Sequence, residues 1–481
     1  MAVPIGIKKL DAYRYEIPKT GGMNVPGLIY TSEKMLSAIC KDGALQQVAN
    51  VAYLPGIIGR SLAMPDIHWG YGFPIGGVAA MDYNTGVISP GGIGYDINCG
   101  VRLIRTNLKM EEVKPKLEEL LNILFTNIPS GVGSTGKINL SNDDVAQVLN
   151  TGAGWAVSQG YGSKSDLEHT EENGSIEYAN SEKVSPRAIT RGKEQLGTLG
   201  AGNHFIELQE VVEVYDEKIA NAYGLWLGQA VMMIHTGSRG LGYQVCDDYL
   251  KTMGDAVRKY GISIPDRQLA CAPVTSPEGK AYFAAMSAAA NYAWANRQVI
   301  THWIRESFEH TFRIGAGKLG LDVVYDVAHN IGKIEEHTVN GKLKKVVIHR
   351  KGATRSFAAG RSEIPTDYRV YGQPVLVPGS MGTASYVLVG TEKAMSETWG
   401  STCHGAGRVM SRTEALKRKR GEDVVNELNA QGIMIKSKSR KTIAEEMPQA
   451  YKDVNAVVDV CHESGIARRV ARMVPVGVIK G

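Results

Sequence analysis

The segment Gly94-Tyr95-Asp96-Ile97-Asn98-Cys99-Gly100 sets a carboxylate and a thiol three residues apart among glycines. Such glycines let the backbone turn tightly, so both side chains can meet one ion or bridge two. Three histidines follow in contexts that suit the same work. His204 closes Gly200-Ala201-Gly202-Asn203-His204, while His235 and His329 end the β-type runs Met232-Met233-Ile234 and Val323-Val324-Tyr325-Asp326-Val327-Ala328. Strand ends are rigid and open onto loops, a good place to hold a site residue. Alone, His235 or His329 reads as a satisfied core histidine. With Asp96, Cys99 and His204 they read as ligands, enough for two metal ions. A lone thiolate among mixed ligands points to chemistry at the metal, because closed structural sites pair their cysteines.

His404 is a histidine of another kind. It lies in Ser401-Thr402-Cys403-His404-Gly405-Ala406-Gly407-Arg408, where small residues would let a bulky phosphate reach the ring. Arg408 or backbone amides could hold the oxyanions, and a neutral imidazole is a good nucleophile toward phosphorus. Two further glycine-rich segments have a phosphate-facing character: Gly237-Ser238-Arg239-Gly240 and Pro378-Gly379-Ser380-Met381-Gly382-Thr383-Ala384-Ser385. No GxxxxGKS or GxxxxGKT pattern occurs, so a Walker-type phosphate loop is not indicated.

The elements that must position these groups belong to a chain of 481 residues, 43% hydrophobic, long enough to bury a large core. No linker, repeat or low-complexity tract divides it, and the ligands span Asp96 to His329. The expectation is therefore one merged catalytic body over residues 1–481. Apolar spacing predicts helices over 32–51, 111–127, 143–158, 276–312, 414–428 and 443–460, with a polar, loop-rich stretch at 166–191. In the longest helix Arg297 interrupts the apolar stripe, as a polar contact beneath a site would. Strands are expected at 101–104, 346–349, 375–377 and 385–389. Strands and helices mix without βαβ alternation, which makes the fold class α+β.

The net charge of +5 neither demands nor excludes a polyanionic partner. Its distribution says more. Basic residues gather at Lys342, Lys344, Lys345, His349, Arg350, Lys351 and Arg355, at Lys417-Arg418-Lys419-Arg420, and at Lys436, Lys438, Arg440 and Lys441. Each run alone is an ordinary solvated face, and three together suit a phosphate backbone. Six scattered cysteines without a CxxC pair fit a reducing cytosol. Met1-Ala2-Val3-Pro4-Ile5 lacks a basic-then-apolar leader pattern, and no apolar run reaches spanning length, so a soluble cytoplasmic protein is expected.

Taken together, these strings resemble the RtcB family of GTP-dependent RNA ligases along nearly the whole chain. The resemblance runs through Gly-Tyr-Asp-Ile-Asn-Cys-Gly-Val (94–101), Leu-Gly-Thr-Leu-Gly-Ala-Gly-Asn-His-Phe-Ile-Glu (196–207), His-Thr-Gly-Ser-Arg-Gly (235–240) and Ala-His-Asn (328–330). It continues through His-Arg-Lys-Gly-Ala-Thr-Arg (349–355), Pro-Gly-Ser-Met-Gly-Thr-Ala-Ser-Tyr (378–386), His-Gly-Ala-Gly-Arg (404–408) and Val-Gly-Val-Ile-Lys-Gly (476–481). Val474-Pro475 departs from the family pattern, where many relatives have arginine before proline.

The resemblance implies two Mn²⁺ ions on Asp96, Cys99, His204, His235 and His329, with Cys99 bridging, although ligand softness alone favours zinc. It implies that His404 is guanylylated by GTP and that Asp66, in Pro65-Asp66-Ile67-His68, orients its ring. Guanine and phosphate contacts carried over by position are Asn203, Glu207, Asn330, Ser380, Met381, Ser385, Ala406, Gly407, Tyr451 and Lys480. Glu207 can accept from the guanine N1 hydrogen and exocyclic amine, a donor pair that adenine lacks. Arg239, Lys351 and Arg355 are the candidates for RNA phosphates. The implied reaction joins RNA 2′,3′-cyclic-phosphate or 3′-phosphate ends to 5′-hydroxyl ends, in tRNA splicing and RNA repair, with archease as activating partner. Two other readings of the residues stand beside it: a binuclear metallo-phosphodiesterase, and a non-catalytic RNA-binding protein with structural zinc.

Overall fold

Two large sheets organise the chain in a computed structural model that describes residues 6–481; the leader reading of Met1 to Ile5 lies outside the described residues. In the first sheet the strands run in the order Lys8–Lys9, Arg14–Ile17, Gly27–Tyr30, Ile57–His68, Ile75–Asp82, Lys342–Lys351, Asn330–Val339. In the second the order is Val323–Ala328, Gly100–Lys109, Gln229–Thr236, Phe205–Val214, Arg468–Lys480, Ser385–Val389, Pro374–Val377, with Met434–Ser437 parallel beside Arg468–Lys480. Antiparallel pairing dominates both sheets, as expected for α+β rather than doubly wound topology.

The runs that end in His235 and His329 are apolar throughout because both faces of the second sheet are covered. Met232 and Ile234 join a core with Ile300 and Ile304. Their neighbours Val231 and Met233 face another core with Phe357 and Tyr368. Covering the first of these faces is the helix Pro277–Phe312, predicted over 276–312. Ser276 caps it by accepting from the Gly279 amide at 3.1 Å, and Pro277 opens it. Its buried polar residues reach outward to loops: Asn296 Oδ1 accepts from the amides of Gly197 (2.7 Å) and Thr198 (3.1 Å), just before the Gly200–His204 loop.

Several helices read as continuous are divided. Gly43, at φ 78, separates Glu33–Ile39 from Ala44–Val51. Gly152 separates Asn142–Thr151 from Ala153–Ser158 in a conformation that a side chain would strain, and an added Cβ would lie 2.1 Å from the Gly174 carbonyl. Pro115 follows the short helix Met110–Val113, and Leu117–Asn127 starts beyond it. Lys419 and Arg420 part Arg412–Arg418 from Gly421–Ala430, and the turn at Pro448 parts Arg440–Glu445 from Val454–Glu463. Conversely, the stretch 166–191 is more regular than expected. It contains most of Pro186–Lys193, capped by Ser185 on the Ala188 amide, and most of Lys164–Glu168. Among the described residues no helix is long and apolar enough to cross a membrane.

Candidate active site

Four adjacent strands of the second sheet deliver the proposed metal ligands to one end. Gly100 pairs with Thr236 and with Ala328, Val101 pairs with His235, and His235 pairs with Phe205. Cys99, His204, His235 and His329 therefore become neighbours although up to 230 positions separate them in sequence. Cys99 Sγ lies 3.3 Å from His235 Nε2 and 3.6 Å from His204 Nε2. His235 Nε2 lies 3.3 Å from His329 Nε2, and His204 Nε2 lies 2.7 Å from Asp96 Oδ2. Two triads result, Cys99–His235–His329 and Asp96–Cys99–His204, sharing the thiol.

The chemistry of this set fits divalent cations. Burial, reinforced by neighbouring imidazoles, holds His235 and His329 well below the usual histidine range, so both rings are neutral and present lone pairs. Burial and then Asp96 push the Cys99 thiol well above its ordinary value. Arg297 and the Gly100 amide oppose this without overcoming it, and a metal cation in contact would favour the thiolate further. Asp96 is different: His204 outweighs burial and keeps it ionised.

Beneath the cluster, Arg297 explains why these segments stay together. Its guanidinium donates to both Asp326 oxygens at 2.8 Å, to the Asn98 carbonyl and side chain at 2.9 Å, and to the Thr236 carbonyl at 2.8 Å. One fully buried side chain thus fastens the Asp96–Cys99 loop, the strand end carrying His235 and the strand leading to His329. The loop needs that support, since Asn98 sits at φ 50. The interruption of the helix stripe foreshadowed Arg297. Nothing in the sequence marked its partner Asp326, which also accepts from Arg102 at 2.8 Å.

His404 reaches the same pocket from elsewhere. It follows the short strand Ser401–Cys403, which pairs with Ala353–Arg355, while Asp66 comes from Ile57–His68 in the first sheet. Asp66 Oδ2 accepts from His404 Nδ1 at 2.5 Å, from the His404 amide at 2.9 Å and from the Gly405 amide at 3.3 Å. Burial would raise this carboxyl, yet His404 and Lys452 outweigh it and keep Asp66 ionised. Gly407 has no alternative here, because at its φ of 71 a Cβ would lie 2.3 Å from the Asp66 carbonyl. The His404 and His329 rings are 4.9 Å apart, centre to centre.

A cavity of about 320 Å³ joins the two groups. Asn203, Asn330, Ser380, Met381, Ala406, Gly407, Tyr451 and Lys480 all line it, with Asp96, Cys99, His235, His329 and His404. Glu207 and Ser385 lie deeper, linked by Gln209, whose Nε2 donates to Glu207 at 2.7 Å and to Ser385 at 3.0 Å. Burial pushes Glu207 up to about 8 and leaves its Oε1 without a partner. Lys480 is depressed to about 8, also by burial, with Glu446 and Glu207 opposing. Glu446 and Arg412, which the sequence did not single out, complete this wall. Glu446 accepts from Arg408 at 2.9 Å and Arg412 at 3.0 Å and also meets the Tyr451 hydroxyl.

The three RNA candidates separate. Lys351 lines the cavity, its pKa lowered by burial to about 7, and donates to the carbonyls of Tyr71 and Gly91. Arg239 lies behind the wall on Thr198 Oγ1 at 3.0 Å. Arg355 is not brought to the pocket. It is 1% exposed, with Glu172 at 2.6 Å and Gln373 at 2.9 Å, and borders a different cleft. The first basic run is accordingly no continuous solvent face, for His349, Arg350, Lys351 and Arg355 are all buried. Arg350 is paired in a fork with Glu335 at 2.5 and 3.0 Å.

The family model described as RtcB, tRNA-splicing ligase RtcB, matches residues 47–481. Proteins named tRNA-splicing ligase RtcB are similar to this chain over 99% of both lengths: 58% identical in Thermococcus kodakarensis, 56% in Methanococcus maripaludis and 55% in Archaeoglobus fulgidus. On a family match that takes in every residue of both the thiol-centred cluster and the His404–Asp66 pair, the chain belongs to the RtcB family.

Proposed function

We propose that this protein is a cytoplasmic RNA ligase of tRNA splicing and RNA repair, dependent on GTP and Mn²⁺, which joins 2′,3′-cyclic-phosphate or 3′-phosphate ends to 5′-hydroxyl ends. One observation carries the reading: a histidine fixed through Nδ1 on a buried carboxylate shares a cavity with Asp96, Cys99, His235 and His329, four of the five residues of the thiol-centred cluster. A binuclear phosphodiesterase would use the cluster but leave the His404–Asp66 pair without work. A structural zinc protein would need neither the pair nor the cavity.

His404, its Nδ1 proton held by Asp66, attacks the α-phosphorus of GTP through Nε2; the Nε2–P bond forms as the bond to pyrophosphate breaks. Asp66 keeps the ring in the attacking tautomer and stabilises the charge that develops on it. Two Mn²⁺ ions held by Asp96, Cys99, His204, His235 and His329 would supply the positive charge that the triphosphate and departing pyrophosphate require. Glu207 receives the guanine N–H donors on its carboxylate, one oxygen of which has no partner within the protein, while Lys480 and the Ser380–Ser385 loop face the rest of the nucleotide. His404 then releases GMP to an RNA 3′-phosphate, and the 5′-hydroxyl of the second RNA attacks that activated phosphate and expels GMP. A cyclic end is opened to the 3′-phosphate beforehand. The pocket draws on residues from Asp66 to Lys480, which supports a single catalytic unit over 1–481. An archease-type protein is the proposed activator.

Incubation with α-labelled GTP and Mn²⁺ tests this directly. The wild type should retain label as an acid-labile adduct, His404→Ala should retain none, and joining of RNA ends by His404→Ala would overturn the reading.

A further inference from the structure

Beyond the nucleotide and the metal cluster, the cavity wall opens onto a row of aromatic rings. Tyr71 and Tyr95 line the cavity and meet edge to face, with centres 5.7 Å apart. The Tyr95 ring stacks in turn on Tyr243, at 4.8 Å with 25° between planes. The Arg191 guanidinium then lies over Tyr243, 5.3 Å from its centre. The row therefore leads from the reaction pocket to the surface, where Tyr243 is 47% exposed.

Packing alone does not account for it. On the same helix, Arg239–Lys259, Tyr249 pairs with the fully buried Tyr282, as an aromatic serving the core should. Tyr243 instead shows half its surface to solvent, one helical turn after Arg239. Planar rings flanked by guanidinium groups form the pattern that receives unpaired nucleobases, the rings and guanidinium planes taking the bases and the cations drawing in the phosphates.

We infer that Tyr71, Tyr95, Tyr243 and Arg191 form a stacking track for the bases of single-stranded RNA next to the end being joined. The inference rests on the ligase reading for its ligand class, and it assigns recognition of unpaired bases to a surface outside the guanine and metal sites. Stacking is tolerant of base identity, so the track selects for unpaired ends rather than for a sequence.

The test uses the full chain and short labelled oligonucleotides, one set ending in a 3′-phosphate and one in a 5′-hydroxyl, each intact or abasic at the nucleotides nearest the end. In anisotropy titrations the wild type should bind the abasic form about tenfold more weakly in at least one set, the order of one base–aromatic stack. Tyr243→Ala should bind the intact form about tenfold more weakly and no longer distinguish the two. Tyr243→Phe should restore both properties. Tyr215→Ala, which removes a ring 42% exposed and outside the cavity lining, should behave as wild type. Wild-type affinity and an undiminished abasic penalty in Tyr243→Ala, in both sets, would overturn the track. GTP labelling of His404 is followed in parallel and should be equal in wild type and Tyr243→Ala. Its absence from the wild type would defeat the ligase reading, while the binding titrations would still decide the track.

Discussion

The two walls of the cavity are held in opposite ways. On the proposed metal wall, position is distributed: four strand ends are fixed by ladder pairing, and Arg297 adds five hydrogen bonds to three segments. On the wall of the proposed nucleophile it is concentrated, since one oxygen of Asp66 receives the His404 ring, the His404 amide and the Gly405 amide. Distribution suits a cluster that must keep several donors converged. Concentration suits one ring whose tautomer and direction both matter. The difference teaches where the site is fragile: at one carboxylate on one side, and at no single contact on the other.

The largest effect should therefore follow from Asp66→Asn. The amide keeps the volume but can present N–H to the ring, so His404 loses the partner that selects its attacking tautomer. Formation of the labelled adduct should fall by about 10³-fold or more, while the metal content of the purified protein stays at the wild-type level. A loss under tenfold would break the contrast, because it would mean that His404 is positioned by something other than Asp66.

A smaller effect is expected from Arg297→Lys on the other wall. Lysine keeps the charge against Asp326 but cannot reach Asn98 and Thr236 with one planar fork. Affinity for Mn²⁺, titrated on protein shown to be folded, should weaken by about 10–100-fold, as when a partner behind a metal ligand is lost. Stability should fall too, since Asp326 would keep only part of its pairing. Lower stability with unchanged metal affinity would reduce Arg297 to a fold-holding role.

What the sequence revealed follows the same division. The clustering of the proposed metal ligands was legible because these residues sit at the ends of conspicuous apolar runs or in glycine loops, so their chemistry and their elements could be read together. Asp66 was not; Pro65-Asp66-Ile67-His68 has no local signature, and only the family resemblance pointed to it. Arg355 shows the reverse error, since a basic run announces charge but not direction. Its guanidinium pairs inward with Glu172, 183 positions away, which no local pattern encodes. Helix ends were overrun for a related reason. Apolar spacing continues through Gly43 and Gly152, but their backbone conformations do not. Arg297 lay between these cases, visible as a break in a stripe while its partners came from three distant segments.

Glu207 offers the finest test, since its strand is one of those that carry the proposed metal ligands and its unpartnered oxygen is proposed to meet the nucleotide. Its carboxyl is raised from an ordinary 4.5 to about 8 by burial, so the folded protein binds this proton more tightly than the unfolded chain. The sign follows from linkage: its contribution to stability is complete below about 4.5 and is lost as pH rises toward 8. Lys480, lowered from 10.5 to about 8, acts above that window, where its deprotonation relieves a cost of burial. Glu207→Gln without nucleotide should therefore match the wild-type melting temperature near pH 5 and exceed it by about 2 °C or more near pH 8. The same variant should reject ATP less well in adduct formation, because one neutral amide oxygen cannot serve both guanine donors. If the two melting temperatures differ equally at both pH values, Glu207 is already ionised in the free protein, and burial has not been the governing influence on it.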